Sequence, residues 1–168
     1  MNHDLFRLPL LFIILCAVQV FVLNHCQLFG CAMPMLYVYF VISMKKGMAK
    51  WAMMVWAFAL GLLLDTFSNT PGVTAATMTL AAMVQPYLLD LFITREGGDD
   101  LIPSKSTIGT KPFINYTIVM VTLFCTVFYT LEMLNFLNGL KWLECVLGSM
   151  ALTVALILAL DSLIYKKG

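Results

Sequence analysis

The Lys and Arg residues of this chain fall almost entirely in every second gap between its apolar runs. Arg7 precedes the first run, and Lys45, Lys46 and Lys50 occupy the second gap. Arg95, Lys105 and Lys111 lie in the fourth gap, and Lys166 and Lys167 follow the last run. The first and third gaps, 24–30 and 65–72, contain neither residue type, and the fifth contains only Lys141. Loops rich in Lys and Arg resist translocation and stay on the cytoplasmic side of a membrane. The alternation predicts about six transmembrane helices with both termini inside. The fold class it implies is an all-α membrane protein, a bundle of six transmembrane helices forming one integral membrane domain over 1–168.

Composition agrees with this reading. Hydrophobic residues make up 61% of the chain and charged residues 11%, against about 25% charged in an ordinary soluble domain. Lipid must therefore be part of the solvent, and six spans leave no room for a soluble catalytic domain. The absence of a long basic run argues against nucleic acid as a partner. The start, 1–23, has the outline of a signal peptide, but no small-residue cleavage site follows it, so it reads as a retained first helix.

The spans read as about 6–23, 28–44, 48–64, 71–94, 112–134 and 142–165. The second and third are short and are joined by a tight Lys-rich turn, which predicts a hairpin whose lysines reach the headgroups. Trp51 and Trp56 suit the nearby interface. Thr70-Pro71 reads as an N-cap followed by proline at the first helical position of span four. Pro86 should kink that span. It also carries small residues at helical spacing, Ala75, Thr79 and Ala82, a face suited to close helix packing inside the bundle or against a partner helix. The stretch 95–111, rich in Gly, Ser, Asp and Lys, reads as a mobile cytoplasmic loop.

Asp65 is the most suggestive residue. It follows Gly61 by one helical turn and ends an apolar run, where the helix macrodipole opposes a carboxylate. One reading makes it an intramembrane acid for ions or protons. The other makes it a clamp that fixes the turn between spans three and four, with the free N–H groups at the start of span four close by in sequence. Its place near an interface favours the clamp. Asp90, Glu132, Glu144 and Asp161 also fall near span ends, where solvation at the interface is expected.

Nothing in the chain reads as a catalytic, cofactor or metal site. His3 and His25 fall on opposite sides of the membrane, and no zinc-protease, nucleophile-elbow, P-loop or dinucleotide-binding motif occurs. The five cysteines are scattered without C-x-x-C spacing. Cys26 and Cys31 lie close together on the outer side, where either a disulfide or two small apolar fillers fits the pattern.

The segment Gly61-Leu62-Leu63-Leu64-Asp65, then Pro71-Gly72-Val73, then an Ala/Thr-rich helix, resembles the rod-shape-determining membrane protein MreD family. The resemblance is residue-specific over about 57–89 and covers the rest of the chain in length and hydropathy. It implies Gly61, Asp65, Pro71 and Gly72 as a structural motif and a bundle like the substrate-binding subunits of energy-coupling-factor transporters. It also implies a place in the bacterial cell inner membrane, in the rod complex that directs lateral peptidoglycan synthesis and cell shape. An MreC-like bitopic protein would be the direct partner. An MreB-like filament and a RodA-type polymerase with its transpeptidase would be indirect ones. The function this implies is a non-catalytic scaffold. The rival is a small-molecule (vitamin) binding subunit of an energy-coupling-factor type transporter, which needs an outward pocket lined by such residues as Asn24, His25, Gln27, Asn69, Asn135 and Asn138. An intramembrane enzyme lacks a recognisable nucleophile–base pair.

Overall fold

Apolar runs that cannot leave their backbone polar groups bare in lipid fold as helices. In the computed structural model, which describes residues 3–21, 33–93, 101–133 and 139–165, all regular structure is helical. Helix α1 spans His3–Phe21, α2 Val38–Ile42, α3 Lys50–Ser68, α4 Val73–Phe92, α5 Lys105–Ile108, α6 Thr110–Glu132 and α7 Gly139–Tyr165. Four of these, α3, α4, α6 and α7, are long and apolar enough to cross a membrane. At ~1.5 Å per residue, even the shortest reaches about 28 Å, close to a hydrocarbon core of roughly 30 Å. The apolar part of α1, Leu8–Phe21, is shorter. This build is consistent with a multi-pass membrane protein.

The long helices pack in chain order. α3 lies against α1 and α4, α4 against α6, and α6 against α7. Phe12 of α1 meets Trp56 of α3 edge to face, with ring centroids 5.9 Å apart. α4 runs through Pro86 without a break. Among the described residues, exposed large apolar side chains form rows on the outside, such as Trp51, Val55, Phe58 and Leu62 on α3 and Leu80, Met83, Tyr87 and Leu91 on α4. Such faces suit lipid rather than water.

The second span expected over 28–44 is corrected by the structure. Residues 28–32 lie outside the described set, and 33–37 are not helical. Only the five residues Val38–Ile42 form a helix. Residues 34–44 are all buried, and α2 touches α1, α3, α4 and α6. The run is apolar because protein surrounds it on every side, which hydropathy does not distinguish from a lipid-facing helix. Its freed backbone groups are held by distant side chains. The Met33 and Met35 N–H groups donate to Ser149 Oγ and Thr153 Oγ1 of α7, each at 3.0 Å. Gln19 of α1 accepts from the Leu36 N–H at 3.2 Å and donates to the Pro34 carbonyl at 3.0 Å. Non-helical backbone inside a membrane protein is tolerated where protein satisfies it in this way or where it lines a water-filled cavity.

Two further expectations change. Part of the loop expected over 95–111 is ordered structure: Ser104 is buried and caps α5, the Lys46 N–H donates to the Leu101 carbonyl at 3.0 Å, and α6 begins at Thr110. Residues 95–100 lie outside the described set. Asp161, expected at a solvated interface, is fully buried. It accepts from the Lys105 backbone N–H at 3.1 Å, and the Lys105 ammonium donates to the Leu158 carbonyl and to Ser162 Oγ, both at 2.6 Å. The segment carrying α5 folds back over the end of α7 and seals Asp161 from solvent. Asp90, by contrast, is 60% exposed and pairs with Lys46 at 3.0 Å.

Candidate functional site

The turn between α3 and α4 is built from residues whose conformations demand their types. α3 ends with Asn69 at φ +56°, a left-handed position that Asn tolerates. Gly72 follows at φ +82° and is the N-cap of α4, where it offers no side-chain acceptor. The Thr70 cap expected from sequence is therefore not the one used: α4 starts at Val73, and Pro71 lies in the turn before the cap.

Asp65 does the capping from the neighbouring helix. Its Oδ1 accepts the Thr74 N–H at 2.9 Å and the Thr70 hydroxyl at 3.0 Å, and its Oδ2 accepts the Ala75 N–H at 2.9 Å. Thr74 and Ala75 carry the donors that an N-cap side chain would ordinarily satisfy. A carboxylate is favoured at the positive end of α4, which offsets its poor placement in the last turn of α3. Asp65 is 5% exposed, and such charge-assisted bonds are shorter and stronger than neutral ones.

Gly61 makes this geometry reachable. One turn before Asp65, it lies against the first turn of α4. A Cβ there would stand 2.5 Å from Ala75 Cα, 2.8 Å from Ala75 N and 2.9 Å from the Thr74 carbonyl oxygen. The helices thus touch backbone to backbone, the contact small residues permit in lipid. Ala75 and Ala82 are buried inside the bundle, and Thr79 is half-buried with its hydroxyl donating to the Ala75 carbonyl at 2.7 Å. Ala75 and Ala82 are turned inward and offer no open face to a further helix.

Beside the clamp lies a cavity of about 190 Å³. The unwound segment contributes Met33, Met35 and Tyr37, α1 contributes Gln19, the clamp contributes Thr70 and Thr74, and α6 contributes Phe128 and Glu132. The cavity borders the non-helical backbone on one side and the α3–α4 turn on the other. Glu132 is on its exposed side, and the Tyr129 and Ser149 hydroxyls are hydrogen-bonded nearby in α6 and α7 at 2.6 Å.

The structure brings Gly61, Asp65, Thr70 and Ala75 together, leaves Gly72 as a left-handed turn residue with open space around it, and buries Ala82 elsewhere in the core. Sequence reasoning passed over Gln19, Ser149 and Thr153. The available signal was an isolated amide in the first apolar run and two hydroxyls at i and i+4 in the last. Ser149, Thr153, Ile157 and Asp161 repeat at that spacing along one fully buried face of α7. Of the residues suggested for an outward pocket, Asn69 is exposed at the turn, while Asn24, His25, Gln27, Asn135 and Asn138 lie outside the described residues, as do Cys26 and Cys31. Among the described residues no group of three His, Cys, Asp or Glu side chains is placed to hold a metal ion.

Taken together, fold and site define an all-helical, membrane-type bundle whose central hairpin is locked by a carboxylate shared between two helices. Compared with protein-family models, with curated proteins and with solved structures, the chain gives no match.

Proposed function

We propose that this protein is a non-catalytic inner-membrane scaffold of the cell-elongation complex, with a single-span MreC-like protein as its direct partner. The observation that carries this reading is the state of Asp65. Both carboxylate oxygens are bound by α4 backbone donors, so the most suggestive acid in the chain serves as a strut and not as a group poised to bind or release an ion. The same three residues that carry the family resemblance, Gly61, Asp65 and Gly72, are those on which the hairpin geometry rests. A stiff hairpin with apolar rows outside suits a protein that holds others in lipid. Both termini are cytoplasmic in this proposal, because the basic gaps lie on the side opposite the Asp65 turn.

Co-purification from native membranes, with identification of bound proteins, tests the proposal. Recovery of single-span cell-wall proteins supports it. Recovery of an ATPase pair together with a vitamin overturns it in favour of a transport subunit.

A further inference from the structure

The cavity beside the clamp has a chemical bias that the scaffold reading does not use. Among the described residues, the aromatic rings of Tyr37, Phe67 and Phe128 line it, together with the carboxylate of Glu132. Among the described residues, no Lys or Arg lines it. Aromatic faces attract cations, and a carboxylate adds direct charge complementarity. Asp65 does not compete for such a ligand, since its oxygens are engaged by Thr70, Thr74 and Ala75.

The location adds a second, independent argument. The cavity is walled by Met33, Met35 and Tyr37, from the one described stretch where non-helical backbone runs buried through the bundle. In membrane proteins, irregular backbone is tolerated where it is buried in protein or lines a cavity, and discontinuous segments that line a cavity contribute to binding sites. At about 190 Å³ the space admits a small head and a short apolar body.

We infer that this cavity binds an ammonium group carried on a small apolar body. Glu132 faces the positive charge, the rings of Phe67 and Phe128 flank it, and Met33 and Met35 take the apolar part. The ammonium can come from an aminolipid headgroup or from a soluble amine, and the chemistry of recognition is the same for both.

The test uses the purified full chain in an uncharged maltoside detergent and follows thermal unfolding. Three probes of like shape are compared: phenethylammonium, neutral 2-phenylethanol and anionic 3-phenylpropionate. The cation at saturating concentration should raise the midpoint by ~2–4 °C, and the other two should leave it unchanged. Glu132→Gln, at an exposed position, should keep the unliganded midpoint and lose the cation's effect. Phe67 is 59% exposed, so Phe67→Ala should weaken the effect without a core defect, which keeps the test decisive if Glu132→Gln folds poorly. A parallel series in phosphatidylglycerol nanodiscs, with and without phosphatidylethanolamine, separates the sources. Stabilisation by the aminolipid that Phe67→Ala reduces and that phenethylammonium cannot add to identifies the lipid. Stabilisation by phenethylammonium alone identifies a soluble amine. Equal effects of the three probes, no effect of any, or a cation preference that survives both substitutions would overturn the inference. None of these outcomes bears on partner recovery from membranes, so the scaffold reading stands or falls separately.

Discussion

Gly61 and Ala75 are in backbone contact across the α3–α4 interface, with room for no atom on Gly61 beyond its hydrogens. A single methyl group at that site would collide with Ala75 Cα and N and with the Thr74 carbonyl, all backbone atoms of a capped helix end. Gly61→Ala should therefore cost at least ~1–3 kcal/mol through overpacking, although Ala favours helix elsewhere. Fluorescence-detected size exclusion of the variant should show lower folded yield and an earlier thermal transition.

Asp65 substitutions should rank by the acceptors they retain. Asp65→Asn keeps one carbonyl oxygen and should lose ~1–2 kcal/mol. Asp65→Leu leaves the Thr74 and Ala75 N–H groups buried without partners, at ~1–3 kcal/mol each. Thermal unfolding in detergent, with the order wild type, Asn, Leu, is the expected outcome. Equal stability of all three would remove the clamp from the account.

The unwound segment makes a similar demand on α7. Thr153→Val is close in shape but withdraws the acceptor from the Met35 N–H. Ser149→Ala withdraws it from the Met33 N–H and also removes a partner of the Tyr129 hydroxyl. Each should destabilise by ~1–3 kcal/mol, and the pair should be non-additive because both pin one segment. Unfolding midpoints of the two single variants and the double variant provide the check.

Topology follows from the basic gaps. With native cysteines replaced, Lys111→Cys should resist an impermeant thiol reagent in intact cells, and Pro71→Cys should react with it, both positions being exposed. Labelling of Lys111→Cys from outside would reverse the orientation.

The helical build and the helix-end acid with a nearby helix start were legible in the sequence because their causes are local. Apolar runs need internally satisfied backbone, and Gly61, Asp65 and the 69–72 turn lie within about four helical turns of one another. The 33–44 segment was not legible, because its partners Gln19, Ser149 and Thr153 lie 15 to 118 residues away, and hydropathy is the same for burial in lipid and burial in protein. Asp161 misled for a related reason. Its place in the last turns of the final helix suggested solvent, but Lys105 arrives from 56 residues away and covers it. The cavity was invisible for the same cause, since its rings and its carboxylate come from three separate parts of the chain.

Cell width and shape after depletion of this protein in a rod-shaped bacterial host test the central claim most directly. The scaffold account predicts cells that lose their cylindrical form and become round while continuing to divide, with shape restored by the wild-type chain and less well by Asp65→Leu. Depleted cells that keep their width and rod shape would contradict it.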